Sequence, residues 1–260
     1  MFTKMRFGDG DLIYVSAQVT YILSYADGSI QGTLPQSSGI TGLCSDAQGN
    51  VFVPTPGIIF EYSHGGKTPI AQLKESNYNP GACSIDPVSG NLAVCNTSSG
   101  RSNQNGNVAI YTGATGSPTF YSIPKLTQYF SCAYDGGGNL FIGAGNSKNN
   151  AFHFAELPEG SNQIELLKLN KQILGVGRMQ WDGQYLVIAA NSVLKFYRVS
   201  VSGLNAKVIS VTKLYGIKTV PDWDFWIHGG MVLTSAGPHS GSVGLWQYPR
   251  GRKLTALYHD

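Results

Sequence analysis

Apolar residues along this chain come in short runs of three or four, each entered through a polar turn rich in Asp, Gly and Asn. Asp9-Gly10-Asp11 precedes Leu12-Ile13-Tyr14-Val15, and Asp46-Ala47-Gln48-Gly49-Asn50 precedes Val51-Phe52-Val53. The pattern returns before Leu92-Ala93-Val94, before Leu140-Phe141-Ile142 and before Tyr185-Leu186-Val187-Ile188. A weakened copy, His228-Gly229-Gly230, precedes Met231-Val232-Leu233. Counted from Leu12 through Val51, Leu92, Leu140, Leu186 and Val232, the steps are 39, 41, 48, 46 and 46 residues. A second motif follows each copy: an apolar or aromatic strand, a Gly-containing turn, and another strand. Tyr62-Ser63-His64-Gly65-Gly66 and Tyr248-Pro249-Arg250-Gly251 are two examples. Short apolar runs bounded by Gly, Asn and Asp predict strands joined by hairpins, since those residues accept the backbone angles that tight turns demand. Each unit is therefore expected to hold four strands and two hairpins.

A lone four-stranded sheet exposes two apolar faces. Stacked radially, each sheet covers its neighbour, and units of about 45 residues have the size of propeller blades. The sequence predicts an all-β, six-bladed β-propeller with four antiparallel strands per blade. The expected blades are 1–36, 37–76, 77–125, 126–171, 172–215 and 216–260, within a single domain. A large β-sandwich would not carry two different turn motifs in constant order.

Composition narrows the class. Charged residues are 13% of the chain, about half the ~25% of an average soluble protein, and Gly is 33 of 260 residues. That balance suits turns and strands and argues against helical bundles. A 42% hydrophobic content is too high for disorder. No apolar run approaches the roughly 20 residues of a membrane helix. A net charge of +3, thinly spread, offers no basic stripe for nucleic acid. Cys44, Cys83, Cys95 and Cys132 lack metal or redox spacing and read as small buried hydrophobes. The polar segment Met1 to Phe7 does not read as a signal peptide. Abundant Ser, Thr, Asn, Gly and Tyr suit an exported protein, so an extracellular or periplasmic monomer, its leader absent, is expected.

The unit Gly42-Leu43-Cys44-Ser45-Asp46-Ala47-Gln48-Gly49-Asn50-Val51-Phe52-Val53 resembles the blades of NHL-type and lactonase- and lyase-like six-bladed propellers. Glu61 to Gly66, Cys83 to Pro87, Gly106 to Tyr111 and Gln180 to Gly183 are similar to segments of a group of exported bacterial propellers without an assigned activity. The resemblance implies the fold. It does not carry over the lactonase metal site, because the inner strands offer Leu43, Cys83, Cys132 and Met179 in place of metal-binding carboxylates.

Ligands are expected on the face built by the loops between units and between second and third strands. Tyr78, Asn79, Asn96, Arg101, Asn103, Gln128, Tyr129, Asn146, Lys148, Asn149, Asp222, Trp223, Asp224 and His239 gather there. Amides beside exposed rings suit a glycan, a peptide or another polar ligand. Arg178 stands in an expected inner strand, either as an anion anchor or paired with Asp222, Asp224 or carbonyls. Asp222, Asp224 and His239 are the best acid–base or metal set, yet three candidates in one unit fall short of a metal site. His64, His153, His228 and His259 read as turn, outer-strand or terminal residues. The chain holds no Gly-x-Ser-x-Gly elbow, no His-Glu-x-x-His and no phosphate loop. The expected function is a non-catalytic binding propeller outside the cytoplasm, without cofactor, metal or nucleic acid. The alternative is a lactonase-like hydrolase or lyase working at the channel mouth.

Overall fold

The computed structural model describes residues 2–5, 10–16, 19–35, 42–75, 78–99, 104–146, 151–173, 176–190, 195–216, 224–235 and 243–258. Strands β1 (Phe2–Met5), β2 (Leu12–Ser16), β3 (Thr20–Ser24) and β4 (Ile30–Leu34) form the first antiparallel meander. The second is β5 (Cys44–Ser45), β6 (Val51–Thr55), β7 (Ile58–Tyr62) and β8 (Pro69–Lys74). The third is β9 (Tyr78–Ile85), β10 (Leu92–Ser99), β11 (Asn105–Tyr111) and β12 (Thr119–Tyr121). Then come β13 (Gln128–Tyr134), β14 (Leu140–Asn146), β15 (Ala151–Leu157) and β16 (Glu165–Leu169). The fifth holds β17 (Val176–Trp181), β18 (Leu186–Ala190), β19 (Lys195–Ser202) and β20 (Asn205–Lys213). The last is β21 (Phe225–His228), β22 (Met231–Ser235), β23 (Val243–Gln247) and β24 (Arg252–Tyr258). The fourth and fifth meanders merge into one eight-stranded sheet, because β16 pairs in parallel with β20 through Lys168 opposite Asn205 and Leu169 opposite Ala206. Among the described residues the only helical turn is a 3₁₀ turn over Thr112–Ala114.

The second strand of each meander explains the assembly. Successive side chains of a strand point to opposite faces. In β2, Leu12 and Tyr14 pack with Leu43, Val51 and Tyr62 of the second meander. Ile13 and Val15 pack with Leu233, Val243 and Leu245 of the sixth. The same split recurs in β10: Leu92 and Val94 join Phe52 and Ile59, whereas Ala93 and Cys95 join Leu140 and Ile142. Phe141 meets Leu186 and Ile188, and Val187 meets Phe225 and Trp246. Each cluster draws on two meanders, and burial of one Leu, Ile or Phe contributes about 1.5–3 kcal/mol. Both faces of these strands are covered, so they read as unbroken apolar runs rather than alternating ones. The first strands follow suit: β1, β5, β9, β13, β17 and β21 each contact the next, and β21 contacts β1. This is an all-β propeller.

The repeated turns hold themselves. Asp46 accepts from the backbone of Gly49 and Asn50, each at 2.8 Å, and from the Asn50 side chain at 2.8 Å. Asp135 does the same for Gly137 and Asn139. Gly49 closes its turn at φ 102°, a region that other residues enter only with strain. These carboxylates are filled by hairpin donors.

Two expectations need correction. First, several segments expected as loops are strand. β9 begins at Tyr78, β10 runs to Ser99, and β13 begins at Gln128. The register shifts between Cys95 and Asn96 and between Asn96 and Ser98, and the ladder continues past each irregularity. Second, two of the four cysteines are not lone hydrophobes. Cys44 of β5 and Cys83 of β9 form a disulfide between the first strands of neighbouring meanders, with Cα atoms 5.6 Å apart. Cys95 and Cys132 are buried free thiols. Burial, together with the nearby Cys132, raises the Cys95 thiol well above its ordinary value, which keeps it protonated and unreactive.

Candidate functional site

The first strands enclose a cavity of about 660 Å³. It reaches from Gly42, Ala82 and Arg178 to the hairpins at the opposite end, where Pro87, Asp182, Gly183, His228 and Gly229 line it. Its wall is largely apolar and aromatic: Leu43, Ile85, Tyr134, Met179, Trp181, Phe225 and Trp226. The Cys44–Cys83 disulfide lies in the same wall. Such a volume and lining suit a small ligand.

Arg178 is held by its neighbours. One terminal nitrogen donates to the carbonyls of Gly81 in β9 and Phe130 in β13, the latter at 2.9 Å. Its Nε lies 3.4 Å from Asp224, just before β21. One guanidinium thus ties residues of four meanders. Gly81 makes room for this contact: a Cβ there would lie 3.0 Å from the Phe130 oxygen and 3.2 Å from that of Cys95. The pairing reading of Arg178 therefore describes its contacts. Next to it, Gln180 stands in for a strand. Its amide donates to the Ile227 carbonyl at 2.7 Å and accepts from the Ile227 N–H at 2.6 Å.

At the turn end, Asp182 collects four donors. Oδ1 accepts from the N–H of Gln184 and Tyr185, and Oδ2 accepts from Arg198 Nε at 2.7 Å and from the Tyr248 hydroxyl at 2.8 Å. Burial pushes this carboxyl up, but the bonds from Arg198, Tyr185, Tyr248 and Gln184 outweigh burial and hold it below the usual carboxylate range. The Arg198 guanidinium lies over the Tyr185 ring at 4.6 Å and near the Tyr248 ring at 5.8 Å.

The other expected site residues separate. Asn96 is fully buried and donates to Glu75 at 3.0 Å and Asn107 at 2.9 Å. Glu75, 1% exposed, also accepts from the Tyr111 hydroxyl at 2.7 Å. Burial pushes the Glu75 carboxyl up despite these two bonds. Asn96 belongs to this packed cluster between the second and third meanders rather than to an open face. Tyr129 was expected as an exposed ring but is fully buried, its hydroxyl accepting from Ile123 N–H at 3.0 Å. The alternation of β13 turns it inward and leaves Phe130 outside. Half-buried Tyr78 packs on Phe120, with centroids 5.8 Å apart. Asn79 donates to Ser98, and Asn146 donates to the Lys125 carbonyl at 3.0 Å. Gln128 is half-buried. Of the expected acid–base set, Asp224 pairs with Arg178, and Asp222 and His239 lie outside the described residues. Arg101, Asn103, Lys148, Asn149 and Trp223 lie outside them as well.

His228, expected in a surface turn, ends β21 and lines the cavity. Tyr134, Trp181 and Arg198 are cavity residues that the sequence reading passed over. A signal existed for two of them. The position before the turn Asp runs Ser45, Ile85, Tyr134, Trp181, so bulky rings accumulate on one side of the channel. Arg198, an isolated charge in a strand, gave none.

No family model matches the sequence, and no curated protein matches it. Solved structures do resemble it. A protein of unknown function from Bacteroides caccae aligns with TM-score 0.71 and 10% identity, over 96% of this chain and 93% of that one. A chain of the nidogen/laminin complex gives 0.70 and 13%, over 96% and 93%. The Cps50 (Swd1) β-propeller domain of Myceliophteria thermophila gives 0.64 and 12%, over 98% and 85%. At these identities the likeness is one of fold. No helix among the described residues is long and apolar enough to cross a membrane.

Proposed function

We propose that the chain is a single-domain, six-bladed propeller of the NHL-like type. It acts as a binding module outside the cytoplasm, rather than as a catalyst, and takes its ligand into the central cavity from the turn end. The cavity of about 660 Å³, walled by aromatic and apolar side chains, carries this reading. Six meanders packed in cyclic order support the blade count, and the repeated Asp-x-x-Gly-Asn turns support the NHL likeness. The disulfide between Cys44 and Cys83 supports an oxidising compartment. Arg178 and Asp224 engage each other while Arg178 also holds backbone carbonyls, which favours binding over hydrolysis. A neighbour taken from a nidogen/laminin complex adds precedent for this fold in protein recognition.

Trp181 and Trp226 line the cavity, so their fluorescence reports its occupancy. A panel of neutral, acidic and basic small solutes, titrated into the full chain, should include at least one that quenches this emission saturably. A flat response across all three classes would count against the cavity as the binding site. Alkylation in denaturant without reductant should label two thiols by intact mass, whereas four labelled thiols would remove the argument for compartment.

A further inference from the structure

The cavity carries one polar group that is fixed in place yet only partly engaged. We propose, building on the cavity reading above, that it receives a monocarboxylate with an aromatic or apolar body, and that the Arg198 guanidinium binds the carboxylate. Arg198 lines the cavity. Its Nε is committed to Asp182 at 2.7 Å, and Tyr185 and Tyr248 pack near its plane. Asp182 is anchored in turn by Tyr248, Tyr185 and Gln184. The fork is thus set in plane and direction before any ligand arrives, and this lowers the ordering cost of binding. Among the described residues no acceptor engages its two terminal nitrogens. A planar pair of nitrogens matches the two oxygens of a carboxylate.

The charge count disfavours a dianion. Asp182 already balances Arg198, and the other cavity guanidinium, Arg178, is engaged by Asp224 and two carbonyls. Among the described residues no additional unengaged guanidinium lines the cavity to receive the second charge of a phosphate dianion. Beyond the fork, the wall offers Ile85, Tyr134, Trp181, Trp226 and Pro249, which suit an apolar body.

The test compares 3-phenylpropionate with 3-phenylpropionamide, titrated calorimetrically into the full chain. The acid is expected to bind at least about tenfold more tightly than the amide, since a charge-assisted bidentate pair is lost in the amide. Arg198→Gln, which removes both charge and fork, should abolish that ratio, and Arg198→Lys, which keeps the charge alone, should reduce it. Trp181→Ala, which leaves the Asp182 pair intact, should weaken acid and amide alike and preserve the ratio. Equal affinity of acid and amide for the native chain would overturn the carboxylate assignment and leave the cavity reading standing. Binding of neither at low-millimolar concentration would overturn this inference, while the solute panel above judges the cavity separately.

Discussion

The seam between the second and third meanders and the seam between the fourth and fifth are fastened at opposite ends. The first is closed beside the channel by the Cys44–Cys83 bond, with the Glu75, Asn96 and Tyr111 cluster farther out along the same seam. The second is closed at the rim, where β16 and β20 share backbone bonds: Lys168 N–H donates to Leu204 at 2.8 Å and Asn170 N–H to Ala206 at 2.9 Å. The Asn170 side chain accepts from Val208 N–H at 2.9 Å. Between the fasteners both seams are the same interdigitated apolar layer. Apolar packing makes the wedges equivalent, whereas polar and covalent contacts make each seam individual. The inner fastener constrains the cavity wall. The outer one fixes the splay of two sheets.

The largest effect should come from removing the inner covalent tie. Cys44 and Cys83 are 39 residues apart, and closing a loop of that length contributes about 4 kcal/mol in the chain-entropy account. C44A/C83A should lower the melting temperature by roughly 10 °C, and reductant should leave the variant's melting unchanged. A melting temperature equal to the native one would place the strength of this seam in its apolar layer alone.

Glu75→Ala comes next. It strips the acceptor from the buried Asn96 amide and the Tyr111 hydroxyl, and a loss of about 2–3 kcal/mol is expected by chemical denaturation. Glu75→Gln behaves differently. Because burial raises the native Glu75 value above its unfolded one, the folded state binds the proton more tightly. That contribution is complete below the unfolded value near 4.5 and is lost as pH rises through the raised native value. Relative to Glu75→Gln, the native chain should therefore lose stability as pH climbs from about 4.5 toward neutrality. Melting curves for both across that range check the sign, and a constant difference between them would contradict it.

The smallest change is Asn170→Ala at the rim. It removes one exposed acceptor and should cost about 0.5–1 kcal/mol. Faster hydrogen exchange at Val208, with no change at Cys83, would show that the two seams are independent. Simultaneous loss of protection at both would show one cooperative unit.

The periodic part of this architecture was readable in the chain. Turn Asp residues and apolar runs are local signals, and Asp46 and Asp135 act within their own hairpins. Contacts between meanders were not readable. Cys44 and Cys83 occupy different registers in their units, and only the stagger of neighbouring sheets brings them together. Tyr129 and Asn96 were misplaced because β9, β10 and β13 extend into segments whose Asn, Gly and Tyr content resembles loops. Arg198 meets Asp182 across 16 residues of hairpin and Tyr248 across the next seam, a convergence that no spacing rule encodes.

The rim joint has a further consequence, for self-association. An open outer strand invites a strand from another molecule to pair with it. Joining β16 to β20 withdraws two such margins at once. Of the other margins, β8 begins with Pro69 and ends with Lys74, β12 has three residues, and β24 starts with Arg252 and Lys253. The remaining margin, β4, has five residues without charge or proline, and there the Lys67 side chain of the neighbouring meander lies across Gly32. Among the described residues each outer edge is thus shortened, charged, interrupted or covered, and each of these devices works against a strand of another copy pairing there.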